Sequence, residues 1–228
     1  MTLYQYPPQT ALKRVVPKNR IYDGAGASTA LRERLTREVD QIIWAQKLAP
    51  ETLNLPATSA VQEIQVFRVT LKGDALHDDV LRAIDRAVPF PLMFELVAGG
   101  RIQPVAAYKR PSEAERGKWV LSDPLRGDWV ARDAARVPLP VAVNLGALYD
   151  RMLSALMPVA PVPGEGMETR LARLAAIRAK EREIAQLQSK LRRESQFNIK
   201  VTLHGQLAEA QAAFDHMKDP EKTGGGKP

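Results

Sequence analysis

After an opening punctuated by Pro7, Pro8, Pro17 and the glycines of Asp23-Gly-Ala-Gly26, apolar residues recur at Leu31, Leu35, Val39, Ile42 and Ile43. That spacing predicts a helix capped by Ser28 and running to Ala49-Pro50, with the first 27 residues an irregular arm holding at most a short helical turn. Val61 to Leu71 is dense in β-branched residues, with Phe67, Val69 and Leu71 alternating on one face, and predicts a mostly buried strand. Leu76, Val80, Leu81, Ile84 and Val88 mark a short helix. Pro89-Phe-Pro91 ends it, because proline neither continues the hydrogen-bond ladder nor tolerates a helical residue before it. Leu92 to Ala98 and Ile102 to Lys109 flank Gly99-Gly100, a pair that supplies the positive φ angles of a tight hairpin. Short strands follow at Trp119 to Ser122 and Asp128 to Ala131, and Asn144 caps a helix over Leu145 to Met157. Helix, strand, helix, hairpin and short strands together predict an α+β fold, a mixed sheet with helices packed on it.

The pattern changes at Pro158-Val-Ala-Pro-Val-Pro-Gly-Glu-Gly166, where proline and glycine make a semi-rigid linker. The expected domains are therefore a globular domain over 1–157, a linker over 158–166, a helical arm over 167–218 and a disordered tail over 219–228. Met167 to Lys218 contains no proline. Ile177, Ile184, Leu191 and Asn198 repeat every seven residues, with Leu187 and Val201 at the offset positions, the pattern of a coiled-coil seam with one register-setting polar residue. The apolar stripe then slips near Phe197 to Leu203, Leu207, Ala210, Phe214 and Met217. One continuous helix about 78 Å long or a hairpin turning near Phe197 fits that slip, and the lack of Gly or Pro before Gly205 favours continuity. Each large side chain of such a seam left in water forgoes about 1.5 to 3 kcal/mol, so the arm is expected to pair, through a homodimer or with a different protein. Partner-binding candidates are Ile177, Ile184, Leu187, Leu191, Asn198, Val201, Leu207 and Phe214.

Charge adds a second expectation. Arg170 to Lys200 holds nine Lys or Arg against three Glu, so the arm carries most of the chain's formal +7. Arg182, Lys190, Arg192 and Arg193 are the arm's candidates for contact with nucleic acid, and Tyr108-Lys109-Arg110 adds Lys109 and Arg110 beside an aromatic ring. The chain has no cysteine and only three scattered histidines, which removes thiolate chemistry and Cys-based zinc sites, and no structural metal or cofactor is expected. No apolar stretch approaches the length of a membrane span and the N-terminus does not read as an export signal, so a cytoplasmic protein is expected.

Lys190-Leu-Arg-Arg-Glu-Ser-Gln-Phe-Asn198, with Lys200-Val201 and Leu203, resembles the C-terminal signature of a bacterial family known as domain of unknown function 4391. The core is similar as well, through Ile43-Trp44, Leu48-Ala-Pro50, Thr52-Leu-Asn-Leu55, Glu63-Ile64, Ile84 to Pro91, Ala107-Tyr-Lys-Arg110 and Trp129. That family has no established activity. Its members resemble one another in being encoded beside helicase-like ATPases and DNA methyltransferases, in loci that look like restriction-modification or phage-defence systems. The resemblance thus implies a non-enzymatic accessory subunit whose partner is a helicase-like ATPase or a DNA methyltransferase.

Two alternatives come from the residues themselves. One is a metal-dependent nuclease, because Glu63-Ile-Gln65 places an acid and a polar residue two apart on a strand, with Glu95 and Lys109 nearest to complete the set. The bland reading of the same residues is that Glu95 and Lys109 pair across the hairpin. The other alternative is a subunit that binds DNA directly through the arm.

Overall fold

Residues 3–112, 114–115 and 118–218 are described by the computed structural model, in which the chain divides into two compact units, 1–157 and 158–228. The expectation of a disordered tail falls on 219–228, outside the described residues. The N-terminal segment is more regular than its prolines suggest. It forms β1 (Tyr4–Gln5), β2 (Ala11–Val15) and α1 (Lys18–Ala25). Gly24 lies inside α1, where a Cβ would come within 2.9 Å of the Ala87 side chain. The glycine is thus there for close packing of two helices, not for a loop.

α2 (Thr29–Glu38) is capped by Ser28, whose Oγ accepts the Leu31 N–H at 3.4 Å. The helix predicted to continue to Ala49 stops at Glu38, and β3 (Val39–Leu48) takes its place. The reason lies in the pairing. β3 is antiparallel to the next long strand, β4 (Ile64–Leu71), which follows a short α3 (Pro50–Leu53), and the register shifts twice, between Val39 and Gln41 and between Trp44 and Gln46. Each bulge adds one residue to the alternation of two, so the buried positions are Val39, Ile42, Ala45 and Leu48. A strand with that spacing carries the apolar signature of a helix.

α4 (Asp78–Ala87) crosses over to β5 (Leu92–Ala98), which lies parallel to β4. β5 returns through Gly99 (φ 51°) and Gly100 (φ 76°) into β6 (Arg101–Ala106), the tight hairpin that the glycine pair predicts. β7 (Lys109–Pro111) pairs with β8 (Trp119–Leu121) as a separate two-stranded ribbon. β9 (Leu125–Arg126) and β10 (Val130–Ala131) both pair with β6, β11 (Val137–Pro138) lies parallel to β1, and α5 (Leu145–Ser154) follows. Asn144 caps α5 by accepting the Ala147 N–H at 2.8 Å. The main sheet reads β10, β6, β5, β4, β3, β2, with β9 beside β6. Its core joins Phe67, Val69, Phe94 and Leu96 of the sheet to Ile21, Leu35, Val80 and Ile84 of the helices.

The second unit is a pair of helices, α6 (Met167–Arg193) and α7 (Phe197–Lys218), in contact with each other. The favoured continuous helix is therefore corrected to a helical hairpin. No Gly or Pro is needed to break it, because Glu194 goes extended (φ −75°, ψ 137°) and its own Oε1 accepts the N–H groups of Ser195 and Gln196, each at 2.8 Å. Those amides would otherwise have no intrahelical partner at the break. Reversal also lets the two apolar stripes cover one another, which a single extended helix cannot do. Among the described residues, no helix is long and apolar enough to cross a membrane.

Candidate functional site

The strand register separates the two candidate nuclease acids. β4 and β5 place Arg68 opposite Glu95, and Glu63 precedes Arg68 by five residues, about 16 Å along the strand. Glu63 sits just before β4, accepts a hydrogen bond from the Gln65 side-chain amide and lies 3.4 Å from Lys47 Nζ. Glu95 is buried on β5, where Oε2 accepts Arg68 Nε at 3.1 Å and Nη2 at 2.7 Å, and Oε1 accepts Arg136 Nη1 at 2.6 Å. Arg136 Nη1 also donates to the Tyr4 carbonyl at 2.8 Å, so Glu95 ties the segment before β11 and the β1 strand to the main sheet. Burial, with the Glu95 charge second, pushes the Tyr6 hydroxyl far above its ordinary pKa. Glu63 and Glu95 are thus anchored apart, Glu63 beside Lys47 and Glu95 between Arg68 and Arg136.

Lys109 joins neither of them. It opens β7 fully buried, with Nζ 3.0 Å from Asp85 Oδ1 and donating to the carbonyls of Asp85 and Val88 at the end of α4. A lysine here donates to the Val88 carbonyl and adds a second donor to the Asp85 carbonyl, which also accepts the Val88 N–H at 3.4 Å, and it opposes the negative end of the helix. The expected Glu95–Lys109 pair does not form, since Lys109 lies beyond β6, on the separate ribbon. Burial pushes the Asp85 carboxyl up to about 6, with Lys109 pulling it back, and burial lowers Lys109 against the opposing pull of Asp85. The Tyr149 hydroxyl accepts the Lys109 N–H at 3.0 Å and donates to the Ala107 carbonyl at 2.6 Å, while the ring stacks on Tyr108 with centroids 6.2 Å apart. The cluster is a structural joint between α4, α5 and the β7 ribbon. Lys109 is withdrawn from nucleic-acid contact, whereas Arg110 beside it is half-exposed. Among the described residues, no group of three or more His, Cys, Asp or Glu is disposed to hold a metal ion.

The arm distributes its residues differently. Ile177 is buried, together with Leu174 and Ala210, while Ile184, Leu187, Leu191, Leu207 and Phe214 are only half-buried. Asn198 and Val201, expected within the seam, are exposed. The seven-residue repeat does not survive the break at Glu194–Gln196, because α7 restarts with its own phase. A hollow between the two helices is lined by Ile184, Ala185, Gln188, Gln211 and Phe214, with Glu181 and Asp215 at its margin. Near the base of the arm the cations are engaged. Arg173 Nε and Nη2 each lie 2.7 Å from a Glu165 oxygen, Lys180 pairs with Glu183 at 2.7 Å, and buried Arg170 donates to the Val159 carbonyl. The side chains of Arg182, Lys190, Arg192 and Arg193 are all exposed and have no ion pair or hydrogen bond among the described residues. At the start of α7, Phe197, Ile199 and Val201 are exposed by 77%, 41% and 56%. In the sequence Phe197 marks the slip of the apolar stripe and lies within the family-like signature, and it is a large apolar residue that neither the heptad nor the later stripe uses.

A family model described as Domain of unknown function (DUF4391) matches residues 5–214, nearly the full chain. The chain belongs to that family. The match runs from β1 into the last turns of α7, so the family's extent includes both units and the turn between the arm helices. No curated protein and no solved structure matches the chain.

Proposed function

We propose that this DUF4391 protein is a non-enzymatic accessory subunit of a DNA-acting assembly, joining a helicase-like ATPase or a DNA methyltransferase of the restriction or phage-defence type. The observation that carries the reading is the unfinished core of the arm. Two helices bury Leu174, Ile177 and Ala210 but leave Ile184, Leu187, Leu191, Leu207 and Phe214 half-exposed along their contact. A third helix from a partner, laid into the hollow at Ile184 and Phe214, completes such a core as it does in helical bundles. Separation of Glu63 from Glu95, and the engagement of each with a cation, supports a binding role over nuclease chemistry. The family resemblance directs the choice of a DNA-acting partner.

The test is co-expression with any helicase-like ATPase or DNA methyltransferase encoded beside it, followed by size-exclusion chromatography with mass measurement. A stable hetero-complex is expected, lost when Ile184→Asp and Phe214→Asp are combined and lost when residues after Gly166 are removed. Cleavage of plasmid DNA with magnesium or manganese that disappears in Glu63→Ala would replace this reading with the nuclease one.

A further inference from the structure

The end of the hairpin has an arrangement that the hollow between its helices does not share. Phe197, Lys200, Val201 and His204 stand at i, i+3, i+4 and i+7 of α7, so they occupy one face of its first two turns. Phe197, Val201 and His204 are exposed, and Lys200 is half-exposed. Lys190, Arg192 and Arg193 lie in the last turn of α6, just before the reversal. None of these four cationic side chains makes an ion pair or hydrogen bond among the described residues. The one acid between them, Glu194, turns its Oε1 onto the Ser195 and Gln196 N–H groups. The surface therefore combines a net positive charge with an aromatic ring, an imidazole and an aliphatic side chain held in water.

We infer that this tip is a binding site for single-stranded nucleic acid. Four cations within eleven residues of chain that also hold an exposed ring complement a ligand that alternates anionic groups with flat apolar ones, which is the composition of an unpaired nucleotide chain. Phosphates take Lys190, Arg192, Arg193 and Lys200, and a base stacks on Phe197, with His204 one turn beyond Lys200 and Val201 on the same face. A duplex matches less well, since its bases present edges and not faces. The site sits on the charged end of α6 and the start of α7, apart from the hollow at Ile184 and Phe214, and it deepens the proposed role by placing the nucleic acid on the arm.

Fluorescence anisotropy of the full-length protein with a short labelled oligothymidylate, at salt from about 50 to 200 mM, tests it. With four phosphates neutralised, the logarithm of affinity should fall against the logarithm of salt with a slope of about −2.8, and with Arg192→Gln and Arg193→Gln combined the slope should halve to about −1.4. Phe197→Ala should weaken binding about tenfold with the slope unchanged, because stacking is lost and no charge is removed. Binding of the oligothymidylate by the protein alone, with no partner protein present, separates this inference from docking at the hollow of Ile184 and Phe214. The inference is overturned if duplex of the same length binds as tightly and Phe197→Ala changes nothing, which would leave unspecific electrostatics. It is equally overturned if polyglutamate displaces the oligonucleotide at stoichiometric concentration, which would make the tip a surface for an acidic protein.

Discussion

Charged side chains in the sheet domain and at the tip of the hairpin are treated in opposite ways. Inside the domain, Glu95 lies between Arg68 and Arg136, and Asp85 is closed on Lys109. At the tip, the side chains of Lys190, Arg192, Arg193 and Lys200 have no partner among the described residues, although Glu194 is their neighbour in sequence. A buried charge must be compensated because the interior cannot screen it, and compensation removes it from chemistry with anything outside. An exposed charge is stabilised by water, so it can be left without a partner at little cost and remains available for an incoming anion. The acids and the lysine that look most like a nuclease site are those with a structural task, and the residues free to bind are on the simplest part of the fold.

The largest effect is expected at Lys109. Lys109→Met should destabilise the protein by about 3 to 5 kcal/mol in urea unfolding, because Asp85 is left buried without its cation. Adding Asp85→Leu should recover a large part of that loss; a double variant as unstable as Lys109→Met alone would show that the carbonyl contacts of Asp85 and Val88, not the ion pair, are what matter. Glu95→Ala should cost about 2 to 3 kcal/mol, less than Lys109→Met, since Arg68 and Arg136 are each partly exposed and recover water. If Glu95→Ala leaves unfolding unchanged, the domain's pairs are no more structural than the tip's free charges.

The arm supplies the smaller effects. Glu194→Ala should cost about 1 kcal/mol, the loss of a cap, and a pair of spin labels on α6 and α7 should report a wider distribution of separations. Unchanged label distances with unchanged stability would mean that packing between the helices alone holds the reversal. Arg192→Gln with Arg193→Gln should change stability by less than about 0.5 kcal/mol. A larger loss in thermal unfolding would show that these cations serve the end of α6 and not a ligand.

Elements whose signals are local are legible in the amino-acid sequence. Gly99-Gly100 makes the β5–β6 turn because positive φ at both positions is a property of those two residues, and Asn144 caps α5 through a contact three residues away. α4 and β4 follow their apolar periods closely. The misreadings share a cause in distant contacts. β3 imitates a helix because two bulges against β4 convert a period of two into one of three, and α1 hides behind Gly24 because the glycine answers to Ala87 on another helix. The grouping of Glu63, Glu95 and Lys109 failed for the same reason: spacing along the chain says nothing of which strand lies opposite which, and the register sets Glu95 against Arg68.

By itself, then, the sequence determined the family, the α+β class with a helical arm after the proline-rich linker, and the positive charge of that arm, since each depends on composition or on neighbours a few residues apart. Only the tertiary structure decided which charges are free. Lys109 and Arg192 are equally cationic in the sequence, and the difference between them is whether folding brings a carboxylate and two carbonyls within reach or leaves the side chain in water. Pairing across strands and helices makes that choice, and it is set by long-range packing that no local pattern records.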